Sequence, residues 1–323
     1  MADIDFLHSR MHQLILALRE KLEDIVKRNS VDCLLFSGGL DTSILAALNP
    51  DVLAITVSLE SSGEDIKYAK SLAQKLNLRH CHKIVGIDEA IDSIPMVIKI
   101  LKSFDPAIPN DLVVYFGLKL AKELGAQEIM TGDGADELFA GYSFMDDLDD
   151  LEAYIQRISK NMSFSSNDIG KFFGIKIIQP FLDKKVIDLS LKIPASLKVK
   201  REKRENGKLL GKWILRKAFE DLLPKEIIWQ DKRPLEYGSG MTELRKIISS
   251  KITDSEFEER KRLYPINFLD KEHLYYYEIY RKEIGEIPKP KGTQKECPGC
   301  GAGMEHTAFH CKICGYISNW RSK

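Results

Sequence analysis

Two short segments hold the residues best suited to chemistry. The first is Ser37-Gly-Gly-Leu-Asp-Thr-Ser43. Gly38 and Gly39 permit a tight turn and let the backbone approach a phosphate closely. Ser37, Thr42 and Ser43 add hydroxyl donors, and Asp41 can hold a hard cation such as Mg²⁺. A helix starting here would add unsatisfied N–H groups and a positive dipole end, which favour an anion. The same residues also describe an ordinary Gly-rich turn capped by Asp41. The second segment, Thr131-Gly-Asp-Gly-Ala-Asp-Glu137, puts Asp133, Asp136 and Glu137 within five residues. Carboxylates at that density call for a cation, unless they are simply the acidic first turn of a helix.

Elements able to position these segments are legible around them. Residues 5–28 have the spacing of an amphipathic helix, with Leu14, Ile15, Leu18, Leu22 and Ile25 on one face. Val31–Phe36 reads as a strand running into the first segment, and Ile44–Leu48 as the helix after it. Val52–Val57 and Arg79–Val85 read as further strands, Asp65–Leu76 and Leu112–Leu124 as helices, and Glu128–Thr131 as a buried strand entering the second segment. Strands alternating with helices predict a doubly wound parallel sheet, an α/β fold, with the ligand at the carboxyl ends of the strands. That assigns residues 1–145 to an α/β domain. Residues 146–285 read as helices almost without strands, a helical second lobe. Residues 286–296, rich in Pro, Gly and Lys, read as a linker, and 297–323 as a cysteine module.

The first segment resembles the SGGxDS loop of the PP-loop ATP-pyrophosphatase family, and GxxxxGK[ST] is absent. The resemblance implies cleavage of ATP between its α and β phosphates, giving AMP and pyrophosphate. The second segment, continued to Tyr142, resembles the signature of asparagine synthetases and β-lactam synthetases. Ile177-Ile-Gln-Pro-Phe-Leu-Asp-Lys-Lys185 resembles that family's R-V-P-F-L-D-K-K. Asn206–Glu220 and Leu223–Lys232 resemble its N-G-K…L-R-x-x-F-E and L-P…R-x-K stretches. The resemblance runs from about Leu22 to Gly285. It implies that Leu35, Val57, Thr131 and Gly132 border the adenosine, and that Ser37, Gly38, Gly39, Thr42 and Ser43 cradle pyrophosphate. It implies further that Asp41 and Asp136 bind Mg²⁺, that Lys232 neutralises the leaving pyrophosphate, and that Asp133 stands near the reacting centre. Without the family, Lys232 reads as a solvated surface lysine.

The chain departs from the family in two places. Ala2 follows Met1 where a glutaminase nucleophile would be, so the nitrogen source is expected to be free ammonia, another amine or a separate donor protein. On the acceptor side Lys176 and Ile178 replace a Glu and an Arg of the pattern, and Asp168 and Pro109-Asn110-Asp111 fall where other aspartate-holding residues stand. Losing Arg removes bidentate carboxylate recognition. Two readings of the acceptor therefore stand. One is a small carboxylic acid converted to an amide. The other is a nucleobase carbonyl of tRNA, adenylated and displaced.

Cys297-Pro-Gly-Cys300 and Cys311-Lys-Ile-Cys314, each followed by glycine, have the spacing of a Cys₄ Zn²⁺ ribbon. So short a segment has too little core to fold without metal. Phe309, Tyr316, Trp320, Lys312, Arg321 and Lys323 could give the ribbon a tRNA contact; the plainer reading is a structural clip. Cys33 and Cys81 read as core cysteines. The formal net charge is zero, which removes any chain-wide electrostatic grip on nucleic acid. With no apolar run long enough for a membrane and no basic-then-apolar leader, a cytoplasmic protein is expected.

Overall fold

The computed structural model describes residues 2–60, 65–201, 209–231 and 235–318. Five parallel strands form the central sheet: β1 (Cys33–Leu35), β2 (Leu53–Leu59), β3 (Arg79–Val85), β4 (Glu128–Met130) and β5 (Lys176–Ile178). Their spatial order is β3-β2-β1-β4-β5. The chain builds outward from β1 through β2 to β3, then returns to β1 and builds the other way through β4. The order therefore reverses between β1 and β4, and a crevice opens there at the carboxyl ends of the strands. Both candidate loops leave the sheet at this point.

The first helices are α1 (Ala2–Arg28), α2 (Leu40–Leu48), α3 (Asp65–Lys75), α4 (Ile87–Leu101), α5 (Ile108–Glu123), α6 (Ala135–Phe139), α7 (Leu151–Ile158) and α8 (Ser165–Phe173). They continue with α9 (Lys184–Ser190), α10 (Ala195–Lys198), α11 (Trp213–Ala218), α12 (Lys225–Ile228), α13 (Leu235–Gly238), α14 (Glu243–Ser250), α15 (Asp254–Arg260) and α16 (Lys271–Glu283). Two antiparallel pairs complete the structure, β6 (Lys200–Arg201) with β7 (Leu209–Leu210) and β8 (Lys295–Glu296) with β9 (Gly303–Met304).

Alternation along β1 sends Leu34 to one face of the sheet and Cys33 to the other. The first face packs against α1, α2, α3, α6, α7, α9 and α11. The second packs against α4, α5, α8, α14, α16 and the four cysteines of the C-terminal module. A strand buried on both sides must be apolar throughout, as Cys-Leu-Leu is.

The structure differs from the sequence reading in several elements, of which β6 and β7 in the helical lobe and β8 in the linker belong to short pairs. Residues 176–178, read as part of a helical lobe, form β5 and complete the sheet. Three residues are too few to show a period of two, and only pairing with β4 makes them a strand. Helix α4 was not read as an element; Pro95 lies inside it and interrupts the pattern that signals a helix.

Candidate active site

Helix α2 begins directly after the first loop. Gly39 is its N-cap, with extended backbone, and Gly38 has φ of 72°, where glycine carries no steric penalty. The loop is braced from within: Gly39 N–H donates to Ser37 Oγ at 3.1 Å, the Ser37 and Thr42 hydroxyls are 3.2 Å apart, and Thr42 Oγ1 donates to the Gly39 carbonyl at 3.4 Å. Ser43, proposed from sequence as part of the cradle, is wholly buried in the first turn of α2, behind the loop. Gly38 turns its carbonyl to the Gln230 side chain, which donates to it at 3.2 Å.

The second loop meets the first almost backbone to backbone. A Cβ on Gly132 would lie 3.2 Å from Asp41 Cβ and 3.3 Å from Thr42 Cγ2. Asp133 Oδ2 accepts three hydrogen bonds, from Ser166 Oγ at 2.6 Å, Thr131 Oγ1 at 2.7 Å and Gln179 Nε2 at 2.8 Å. Asp136 and Glu137 open α6. Burial and the neighbouring Asp136 push the Glu137 carboxyl up, and Tyr142 donates its hydroxyl to it at 2.7 Å.

Between the two loops stands a residue that sequence reasoning did not single out. Lys212 Nζ lies 2.5 Å from Asp41 Oδ2 and 2.7 Å from Asp136 Oδ1, and its side chain is only 4% exposed. Burial alone would lower its pKa, but the charges of Asp136 and Asp41 outweigh that and hold it above the usual lysine range. Its backbone is left-handed, with φ of 57°, a conformation that costs a non-glycine residue energy. The N–H donation from Lys212 to the Phe139 carbonyl at 2.9 Å holds it there. The two carboxylates read as Mg²⁺ ligands thus converge on one cationic nitrogen.

Leu35, Ser37, Gly39, Asp41, Thr42, Val57, Thr131, Gly132, Asp133 and Asp136 all line one cleft of about 590 Å³. Arg216 supports its rim, donating to the carbonyls of Gly211 at 2.9 Å, Gln230 at 3.1 Å and Ile228. This holds the segment running up to Asp231 against the first loop. Lys232, proposed as the catalytic lysine, lies outside the described residues.

The asparagine synthase family model matches residues 17–173 and 151–286. The chain belongs to the asparagine synthase family. It is 29% identical over 319 residues to the glutamine-hydrolysing asparagine synthetase 2 of Lotus japonicus, covering 87% of this chain and 54% of that one. It is 26% identical over 330 residues to asparagine synthetase B of Escherichia coli strain K12, covering 90% of this chain and 58% of that one. The chain thus spans little more than half the length of these relatives. Among solved structures, the U34-tRNA thiolase NcsA of Methanococcus maripaludis aligns over 95% of this chain and 89% of its own at 16% identity, with a TM-score of 0.35, a likeness too slight to weigh.

Against the asparagine synthase pattern the acceptor side is rebuilt. Lys176 pairs with Glu128 on the exposed end of the sheet at 2.6 Å, Asp168 is exposed on α8, and Ile178 is buried. Gln179, in the position of the pattern's Val, reaches Asp133 instead. Lys212, Arg216 and Gln230 all lie in stretches that the family resemblance covers. Nothing in their spacing tells which of the chain's 48 basic residues folds inward.

The four cysteines converge at the other end of α4. Their Sγ atoms all lie within 4.8 Å of one another, with Cys297 to Cys314 at 3.6 Å and Cys300 to Cys311 at 3.9 Å. Four Zn–S bonds of about 2.3 Å in a tetrahedron place the sulfurs about 3.8 Å apart, so the set fits that ion. The module is docked on the α/β fold. Phe104 N–H donates to the Ile313 carbonyl at 2.7 Å, and His310 Nε2 meets Asp105 Oδ2 at 2.9 Å. Arg157 Nε donates to the Thr307 carbonyl at 2.9 Å. Phe309, read as a stacking surface for RNA, packs against Tyr154 and under Arg157. His306 and His310 are both exposed, and His310 also meets Asp105. Trp320, Arg321 and Lys323 lie outside the described residues. No helix among the described residues is long and apolar enough to cross a membrane.

Proposed function

We propose that this chain is an AMP-forming, ATP-dependent carbon–nitrogen ligase. The observation that carries the proposal is the meeting of the two loops, with Asp41 and Asp136 turned toward a single cation position beside the Ser37–Thr42 cradle. The acceptor carboxylate attacks the α-phosphorus of ATP, pyrophosphate departs, and ammonia or another amine attacks the acyl carbon and expels AMP. Loop N–H groups and the hydroxyls of Ser37 and Thr42 hold the pyrophosphate, as helix N-termini hold anions. Leu35, Val57, Thr131 and Gly132 border the adenosine, and Asp133 orients the reacting end through its three fixed hydrogen bonds. Asp41 and Asp136 are hard oxygen donors and would hold Mg²⁺, which when bound neutralises phosphate charge. Lys232 is proposed to neutralise the departing pyrophosphate. Cys297, Cys300, Cys311 and Cys314 are proposed to hold Zn²⁺ as a structural site.

The test is release of AMP and pyrophosphate from ATP and Mg²⁺, with aspartate and ammonium in one reaction and bulk tRNA and ammonium in another. Aspartate-dependent turnover yielding asparagine establishes amide formation on a small carboxylate. Turnover dependent on tRNA instead transfers the chemistry to a nucleobase carbonyl, the reading that the rebuilt acceptor side favours. ADP as the product would refute the AMP-forming proposal.

A further inference from the structure

Beyond the cradle the cleft has a second end, walled by Asn110 and Asp111 in the first turn of α5, by Asp133, and by Ser165 and Ser166 at the start of α8. Its polarity is one-sided. Asp111 lines it while only 9% exposed. Burial pushes this carboxyl up to about 7; the Ser165 hydroxyl, which hydrogen-bonds to it, offsets only part of that, and the charge of Asp105 adds to it. Asp133 is fixed through Ser166. Adjacent serines therefore hold one carboxylate each, and the two acids face the same space from different elements. Asn110 is anchored from behind, its Oδ1 accepting the Glu236 N–H at 2.8 Å.

The cations described along the cleft are committed elsewhere. Among the described residues lining the cleft, the basic side chains are Lys212 and Arg216. Lys212 is clamped by Asp41 and Asp136, and Arg216 donates to three backbone carbonyls. A ligand bringing a second carboxylate to this end would meet Asp133 and, above about pH 7, a charged Asp111 as well, and like charges brought together with little water oppose binding strongly. A ligand bringing an ammonium or amide N–H would find a buried oxygen ready to accept it, and charge-assisted bonds of that kind are the strong ones.

We infer that Asp111 sets acceptor specificity: the far end of the cleft takes a molecule that presents an N–H donor beside the group to be activated, and it rejects dicarboxylates. The inference rests on the ligase reading of the cleft. The competing account makes Asp111 a buried cap for the first turn of α8. In that case its replacement changes stability and leaves ligand preference alone.

A matched pair of probes separates the two accounts. Succinate and β-alanine have the same length and differ at one end, carboxylate against ammonium. Each is titrated calorimetrically into the full chain loaded with Mg²⁺ and α,β-methylene-ATP. The wild type is expected to bind β-alanine at least tenfold more tightly than succinate. Asp111→Asn lowers that ratio at least tenfold, and Asp111→Lys inverts it. In both variants affinity for the nucleotide analogue stays within threefold of wild type. Equal or tighter binding of succinate by the wild type, no binding of either probe, or an unchanged ratio in Asp111→Asn overturns the inference. The asparagine variant, nearly the same shape, keeps the test decisive if the lysine variant does not fold. Failure of the wild type to bind the nucleotide analogue is a separate result, which removes the ligase reading itself and this inference with it.

Discussion

Replacing Lys212 by methionine keeps the stem and removes the ammonium. The two carboxylates that converge on it, Asp41 and Asp136, each have side chains only 17% exposed. Without Lys212 they face each other across a water-poor gap. Breaking a buried ion pair by deleting one partner costs about 3–5 kcal/mol. For a chain of 323 residues the unfolding entropy is about 0.7 kcal/mol per kelvin. The nucleotide-free Lys212→Met protein should therefore melt about 4–7 °C below wild type, read by calorimetry in a chelated buffer. A divalent cation can then substitute for the lost ammonium, and a ligand that binds only the folded state raises stability by mass action. Millimolar Mg²⁺ should accordingly raise the melting temperature of the variant more than that of the wild type. Adding Asp41→Asn to Lys212→Met should recover part of the loss, since it removes one of the two opposed charges. A melting temperature within 1 °C of wild type, or the same Mg²⁺ response in both proteins, would refute the idea that Lys212 neutralises this pair.

Three further outcomes follow from the same geometry. The Asp111 carboxyl holds its proton to about 7 in the folded chain against 3.8 for the free group, so its burial cost is absent below pH 3.8, grows as pH rises, and is complete above about 7. Asp111→Asn should thus gain stability relative to wild type between pH 4 and 7, by up to about 4 kcal/mol, as read by denaturant melts across that range; a pH-independent difference contradicts the burial account. In Gly132→Ala the added methyl presses on Asp41 and Thr42. Overpacking of this kind costs about 1–3 kcal/mol, and because it spreads the two loops, ATP-dependent pyrophosphate release should fall about tenfold; unchanged kinetics would mean that the loops need not touch. Stripping metal from the cysteine module with a chelator should release Phe104, Asp105 and Ser103 from Ile313 and His310. Hydrogen exchange should then rise in residues 103–111 and stay unchanged in residues 37–48, while equal protection before and after stripping would show that the ribbon does not hold this loop.

Much of the site was legible beforehand because its parts are local. Gly38 and Gly39 between a strand and a helix, or two CxxC pairs near one another, announce their chemistry through spacing of a few residues. The strands at 31–36, 52–57 and 128–131 were found because buried parallel strands read as mostly apolar runs, whereas 79–85, an edge strand with two histidines and a lysine, was placed by its position after a helix. What was missed has no local signal. β5 is three residues long, and its edge pairs only with β4. Lys212 sits in the mostly apolar stretch Leu209-Leu-Gly-Lys-Trp-Ile-Leu215, which carries no mark of its charged partners, and its left-handed backbone is held by contact with α6. The surroundings of Phe309 were hidden for the same kind of reason: an aromatic residue in a ribbon suits both stacking on RNA and packing on a neighbour, and only the fold brings Tyr154 and Arg157 beside it.

The sequence by itself determined the α/β class, the glycine-rich loop after the first strand, the acidic loop after the fourth strand, and the family whose order of motifs the chain keeps. Only the tertiary structure decided which charges face one another. Asp41, Asp136 and Lys212 are separated by 95 and 76 positions along the chain, and no periodicity links them. They meet because the strand order reverses between β1 and β4 and brings two loops and the start of α11 to one point. The surroundings of Asp133 were decided in the same way, by α8 and β5 bringing Ser166 and Gln179 to it. Ligand chemistry depends on such convergence, since the energy of a charge is set by the partners and water around it and not by its neighbours in sequence.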